Sequence, residues 1–341
     1  MKQFRKVDKV GSINANPAAH WDRYETPATA GWNVKAVAAL EAVIGGQNTD
    51  CVLIAQGGRI AFTHGDIEHK YLCHSMRKSF LAALIGEDVE AGRIDLSATL
   101  ERLGIDDLDP LSPVERNATV YDLLTARSGI YHPAGYETEW MKMIKEKRHS
   151  HAPGTFWCYN NWDFNALGSI FVQQTGLSVA EAFAQRIAAP LGMEDFSLDG
   201  DRPDAWTEAF EVSRHGAYPF RLSSRDLARF GQLFLQNGSW SGKMVLPDGW
   251  AEENVMPYSH AGARGAYGYC WWLERDGVFA PGVRTPTGSY AAQGAGGHYC
   301  MVVPALDMVI IHRVDTDRKG RAISKHEFGR FLKAVLVAAA G

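Results

Sequence analysis

Three absences narrow the chain before any motif is read. No apolar run approaches the roughly 20 residues of a membrane-spanning helix. The C-terminal FLKAVLVAAAG is apolar but too short, and reads as a packed helix. The opening MKQFRKVDKVGSINANPAAHWDRY is charged and polar where an export signal needs about 7 to 15 uninterrupted apolar residues. No Lys/Arg-rich block is present, and 35 basic against 39 acidic residues leave a formal net charge of −4. Nothing here can track a phosphate backbone, so neither nucleic acid nor a membrane is expected as a partner. Finally, there is no Cys-x-x-Cys pair. The 5 cysteines are odd in number and widely spaced, which points to reduced thiols in a cytoplasmic protein rather than zinc or disulfide chemistry.

What the chain does have is bulk. With 341 residues, 46% of them hydrophobic, it can bury a large core as one big domain or two lobes. WNVKAVAALEAVIGG spaces its apolar residues by three and four and stops at Gly45-Gly46, an amphipathic helix with a glycine end. CVLIAQGGRIAFTHGD follows as a hairpin around Gly57-Gly58. From about Ser75 to Tyr258 the pattern is mostly helical: SMRKSFLAALIGEDVEAG, TVYDLLTARSG, NWDFNALGSIFVQQTG and SSRDLARFGQLFLQNG each open near Ser, Thr or Asn and close on glycine. The last stretch returns to strands in GYCWWLE, SYAAQ, HYCMVVP and DMVIIHRVD before a final helix. These elements predict an α/β (α+β) fold: an antiparallel sheet of five or more strands flanked by the terminal helices, with a mostly helical region inserted. The expected lobes are 1–74 with 265–341, and 75–264, with a site in the cleft between them.

Three stretches can carry chemistry. In CHSMRKSF, Ser75 and Lys78 are three apart and share a helix face, so the ammonium can reach the hydroxyl. The lysine can serve as base near neutrality only if burial lowers its pKa by about 3 units, worth roughly 4 kcal/mol. On its own the pair could equally be a helix cap and a solvated lysine. In PGTFWCYNNWDFNALG, Tyr159-Asn160-Asn161 can supply a phenol that relays protons and an amide, Asn161, that orients lysine and substrate carbonyl. A buried, satisfied tyrosine is the alternative. In YAAQGAGGHYCMVVP, Gly294 and Ala295 suit a strand edge that lends a backbone N–H to an oxyanion, with His298 facing the cleft or capping a turn. Each of the first two motifs occurs once, and they occur in this order.

Together these stretches resemble the serine β-lactamase-like superfamily of penicillin-binding proteins, class C β-lactamases and related esterases and amidases. GRIDLSATL, TVYDLLTARSGI, PGTFWCYNN, LSSRDLARFGQLFLQNGSWSGKMVLPDGW and GGHYCMVVPALDMVIIHRVD look like its connecting segments, from about residue 50 to the C-terminus. The branch that looks most similar is that of 6-aminohexanoate-dimer hydrolases and family VIII carboxylesterases. The resemblance implies Ser75 as acylated nucleophile, Lys78 as its base, Tyr159 as general acid/base with Asn161 in support, and an oxyanion hole from the N–H groups of Ser75 and a residue near Ala295. It implies neither metal nor cofactor, and leaves a homodimer open. One departure matters. Relatives acting on β-lactams or peptidoglycan typically carry Lys-Thr-Gly or His-x-Gly at the third motif, where this chain has Ala292-Gln293-Gly294, or Pro286-Thr287-Gly288 in the other register.

With no cation there, a small ester or linear amide is the expected substrate. A β-lactamase, a D-aminopeptidase or DD-peptidase-like enzyme, and a slowly acylating sensor are the alternatives. His149-x-His151 lacks a nearby third ligand and reads as a solvated loop. Trp157, Trp162, Trp271 and Trp272 read as core or as the wall of an acyl pocket, and Cys73 and Cys158 as packing residues.

Overall fold

A computed structural model describes residues 16, 17 and 19–340. The polar leader at 1–15, which carries the reading against an export signal, lies outside the described residues. Helix α1 (Val34–Gly45) starts where the Asn33 side chain accepts the Ala36 N–H. Strands β1 (Cys51–Gln56) and β2 (Arg59–His64) then form a hairpin whose two turn residues, Gly57 and Gly58, have φ of +58° and +73°. A two-residue turn with both φ values positive matches the right-handed twist of its strands, and glycine adopts it without strain.

The remaining sheet strands come from far along the chain: β3 (Ser259–His260), β4 (Ala266–Tyr267), β5 (Trp272–Leu273), β6 (Tyr290–Gly294), β7 (His298–Val303) and β8 (Met308–Arg313). Among the described residues they complete an eight-stranded sheet in the order β2-β1-β8-β7-β6-β5-β4-β3. All the pairings are antiparallel, and Cys51↔Arg313 through Gln56↔Met308 sets the central register. Every residue of β8 is buried, so both faces must be covered.

Alternation along β8 assigns the two covers. Tyr299 and its cross-strand neighbour His312 pack on Phe328 and Phe331 of the terminal helix α5 (Lys325–Ala339), which lies against α1. On the opposite face α4 (Ser224–Leu235) approaches so closely that a Cβ at Gly231 would sit 2.5 Å from Val309 Cγ1. Helix α2 (Arg77–Glu90) packs behind α4 through Phe80, which meets Phe230, Phe183 and Phe220 at ring distances of 4.9, 5.2 and 5.4 Å. Helix α3 (Asn161–Thr175) completes the layer that carries the site residues. The expected sheet, terminal helices and helical insertion are all present.

Two details differ from the sequence reading. GYCWWLE forms a strand only at Trp272–Leu273, because Cys270 takes a left-handed φ of +62° and interrupts the extended chain. The helical middle also holds two small strand pairs, Glu208–Phe210 with Ser213–Ala217 and Ser239–Trp240 with Lys243–Met244, too short and polar to show a period-two signal.

Candidate active site

Ser75 sits in a single 3-10 turn, His74–Met76, between the short strand Tyr71–Leu72 and α2. His74 has φ +48°, uncommon for a residue with a Cβ, and it redirects the chain into the helix. The turn is tied down from β8. The buried guanidinium of Arg313 donates to the carbonyls of Tyr71 (2.8 Å) and Leu222 (3.2 Å) and to His298 Nδ1 (3.0 Å). The His74 ring lies 2.7 Å from the hydroxyl of Thr316.

One helical turn on, Lys78 Nζ donates to Ser75 Oγ at 2.8 Å and to the Tyr159 hydroxyl at 2.7 Å. Lys78 is 1% exposed, with the rings of Tyr159 and Phe164 centred 4.6 and 4.8 Å from its nitrogen. Burial, followed by the neighbouring Arg77, holds its pKa well below the ordinary lysine range. Burial likewise pushes the Tyr159 phenol up, so it keeps its proton. Ser75, Lys78 and Tyr159 are thus brought together around a lysine whose pKa burial lowers, the direction that service as a base requires.

The end of β6 closes the site from the opposite side. Gln293, Gly294 and Ala295 line a cavity of about 390 Å³ with Ser75 and Tyr159. A Cβ at Gly294 would lie 2.6 Å from the Cys73 carbonyl, so only glycine lets this strand end approach the Ser75 turn. Gly294→Val is therefore expected to lower kcat by about 10²-fold, the scale of a displaced oxyanion donor, and kinetics on a soluble, folded variant checks this. Pro286-Thr287-Gly288 lies in a turn held by Glu274 and touches neither cavity beside Ser75. The geometry therefore favours the Ala292–Gly294 register.

His298, expected at the substrate, is fully buried behind His74 with its Nδ1 on Arg313. The β6–β7 register explains this, since Gly294↔His298 is the last pair and the ring packs inward. Asn161 departs from expectation only in its contact with Lys78. Its amide donates to the Gly135 carbonyl at 3.1 Å and makes no hydrogen bond with Lys78. It lines a second cavity, about 300 Å³, on the other side of Ser75, and its buried Oδ1 has no protein partner among the described residues.

The first cavity contains what the third motif lacks. Arg264, from the β3–β4 connection, and Lys325, the first residue of α5, both line it. The third motif itself supplies no cation opposite Ser75; both come from segments distant from it in sequence. One signal was available: Ser324-x-x-Glu327 marks a helix start, and a lysine in the first turn opposes the helix dipole. Arg264 carried no such mark.

Of the four tryptophans, Trp272 lines the cavity, while Trp157 packs on its edge and Trp162 and Trp271 are core residues. Trp140, unremarked in the sequence, forms part of the wall. Cys73 and Cys158 are buried, and burial raises both thiols. His149 is exposed and His151 stacks on Phe156.

The beta-lactamase family model matches residues 37–323. Among solved structures, a 6-aminohexanoate-dimer hydrolase homologue from Bacillus anthracis has a TM-score of 0.67 at 21% identity, covering 88% of this chain and 81% of that one. A class C beta-lactamase has a TM-score of 0.66 at 17% identity, covering 90% and 96%. An uncharacterized protein of Alkalihalophilus pseudofirmus is 23% identical over 264 residues, 70% of this chain and 71% of its own length. Among the described residues no helix is long and apolar enough to cross a membrane.

Proposed function

The chain belongs to the beta-lactamase family, and on that footing we propose that it is a serine hydrolase of small esters or linear amides, working through an acyl-enzyme on Ser75. Neutral Lys78 takes the Ser75 proton as Oγ bonds to the substrate carbonyl carbon. The N–H groups of Ser75 and Ala295 hold the oxyanion. Its collapse breaks the C–O or C–N bond while Tyr159 protonates the departing alkoxide or amine, and the Lys78 ammonium restores the tyrosine proton. Water then attacks the same carbonyl by the reverse route and frees Ser75. In this reading the cleft lies between the 1–74/265–341 lobe and the 75–264 lobe. The observation that carries the reading is one buried amine within 2.8 Å of both the serine and the tyrosine oxygen.

The test is a panel of p-nitrophenyl esters, a linear aminohexanoate dimer and nitrocefin, given to wild type and Ser75→Ala, with intact-mass detection of an adduct. Turnover of an ester or linear amide through an adduct on Ser75 is expected. Turnover that survives Ser75→Ala overturns the mechanism. Arg264 and Lys325 are the observation that favours a second reading, hydrolysis of a β-lactam, and rapid nitrocefin turnover with inert esters and linear amides would establish it. A stable adduct without turnover would mark a sensor.

A further inference from the structure

Helix α2 opens on two basic residues. Arg77 and Lys78 occupy its first two positions, and its first turn holds no acidic residue, although the positive end of a helix favours carboxylates there. Lys78 is the base in the acyl-enzyme mechanism, and Arg77 has no part in it. Arg77 is nonetheless only 3% exposed. Its Nη2 donates to Asn165 Oδ1 at 2.8 Å, its guanidinium carbon lies 4.2 Å from the Tyr218 ring centre, and Nη1 has no protein partner among the described residues. Among those residues no carboxylate pairs with it. Glu137 shares a cavity wall with Arg77 but pairs with Lys145.

Packing alone does not account for such a residue. A leucine or methionine would fill the same space, whereas an unpaired guanidinium out of water is costly, and one ring contact with one neutral hydrogen bond offsets only part of that. Asn165 sharpens the point. Its Nδ2 donates to the Gly135 carbonyl at 3.4 Å, which turns Oδ1 toward Arg77. An aspartate of nearly the same shape would have supplied the missing negative charge, and the chain has a neutral acceptor there instead.

The uncompensated charge is felt at Lys78. Around the amine stand His74 of the Ser75 turn, Tyr159 ahead of α3 and Cys270 between β4 and β5, with Tyr218, Tyr267 and Asp163 behind them. Burial holds each of these uncharged near neutral pH. Arg264, across the cavity, acts on Tyr159. Arg77 is the permanent charge that acts on Lys78, in the same sense as burial, and the group acting the other way, Cys270, is a thiol that burial keeps protonated. The same guanidinium offsets part of the burial of Tyr159, which eases departure of the phenol proton. We infer that Arg77 is a positioning residue for proton transfer, an unpaired buried charge that keeps the Lys78 amine free of a proton so that it can take one from Ser75. The consequence for rate rests on the acyl-enzyme reading; the hold on the Lys78 proton does not.

Two measurements separate these claims. In nuclear magnetic resonance of protein isotopically labelled at lysine Cε, the Lys78 signal, identified by its loss in Lys78→Met, reports protonation of the amine without any turnover. Arg77→Gln, which keeps a donor for Asn165 but no charge, should raise the Lys78 midpoint by about one pH unit or more, and Arg77→Lys should leave it near the wild-type value. Asn165→Asp leaves the guanidinium and its stacking in place, supplies a carboxylate, and should raise the midpoint as well. Should Arg77→Gln fail to fold, Asn165→Asp decides. A midpoint unchanged in both, or raised as much in Arg77→Lys as in Arg77→Gln, overturns the inference. The second measurement is the acid limb of kcat/KM for p-nitrophenyl butyrate. A limb that moves up with the Lys78 midpoint in Arg77→Gln, and stays in place in Arg77→Lys, supports the consequence for rate. A midpoint that moves while the limb does not, or while no protein forms an adduct on Ser75, overturns the role of Lys78 as base and keeps the hold on its proton. A limb that moves while the midpoint stays overturns the inference.

Discussion

Ser75→Ala and Lys78→Met are each expected to lower kcat by about 10⁴-fold or more, with the double variant no slower than the worse of the two. The reason lies in the geometry. One buried nitrogen contacts both Ser75 Oγ and the Tyr159 hydroxyl, so in the proposed acyl-enzyme mechanism removing either Ser75 or Lys78 would disable the same step. Single-turnover release of p-nitrophenol from the four proteins is the measurement. Additive losses, with the double variant slower by the product of the single factors, would mean that the two residues act in separate steps. The acid side of the rate profile carries the same signature. With the lysine pKa lowered on folding, the amine is neutral above that lowered value. As pH falls through it, kcat/KM should drop about tenfold per unit, and tyrosine, still protonated, cannot be the cause.

Asp163→Asn is expected to flatten the dependence of stability on pH. Asp163 is completely buried in the first turn of α3, beside the segment bearing Tyr159, with Ser128 Oγ donating to Oδ1 at 2.5 Å and Oδ2 unpartnered among the described residues. Burial pushes its carboxyl up to about 8. A folded-state pKa raised above the unfolded one means that the folded protein holds the extra proton. The stability contribution is full below about pH 4 and is lost as pH rises through about 8. At 1.36 kcal/mol per unit, the upper limit is on the order of 5 kcal/mol. Urea unfolding at about pH 5 and about pH 8.5 should show wild type losing several kcal/mol more than Asp163→Asn across that interval. Parallel losses in the two proteins would show that Asp163 stays ionised.

The parts of this molecule that were legible in its sequence share a property: each is specified locally. Gly57-Gly58 between two apolar runs marks its hairpin turn from adjacent residues alone, and Ser75 and Lys78 are neighbours because three residues of helix make them so. Tyr159 became legible through order along the chain. What escaped depends on packing between distant segments. Arg264 and Lys325 reach one cavity from a strand connection and a terminal helix, and no spacing rule joins them. His298 carries the right chemistry, yet its strand register turns it toward Arg313. Asn161 is at the expected motif position, but the Gly135 carbonyl takes its amide. The broken strand at Cys270 was hidden because a left-handed φ at a non-glycine residue leaves no compositional trace.

The central pairing of β1 with β8 also has a bearing on biosynthesis. Thr49, just before β1, packs its hydroxyl against the ring of His312, 263 positions later. During translation the Cys51–His64 hairpin emerges early and must wait, with the apolar edge of Cys51–Gln56 unpaired, until Met308–Arg313 leaves the ribosome. At about 5 to 20 residues per second that delay is on the order of 10 to 50 seconds. A nascent chain with an open, hydrophobic strand edge for that long is a natural client for chaperones that shield such edges, and truncation anywhere before β8 would leave the edge permanently bare.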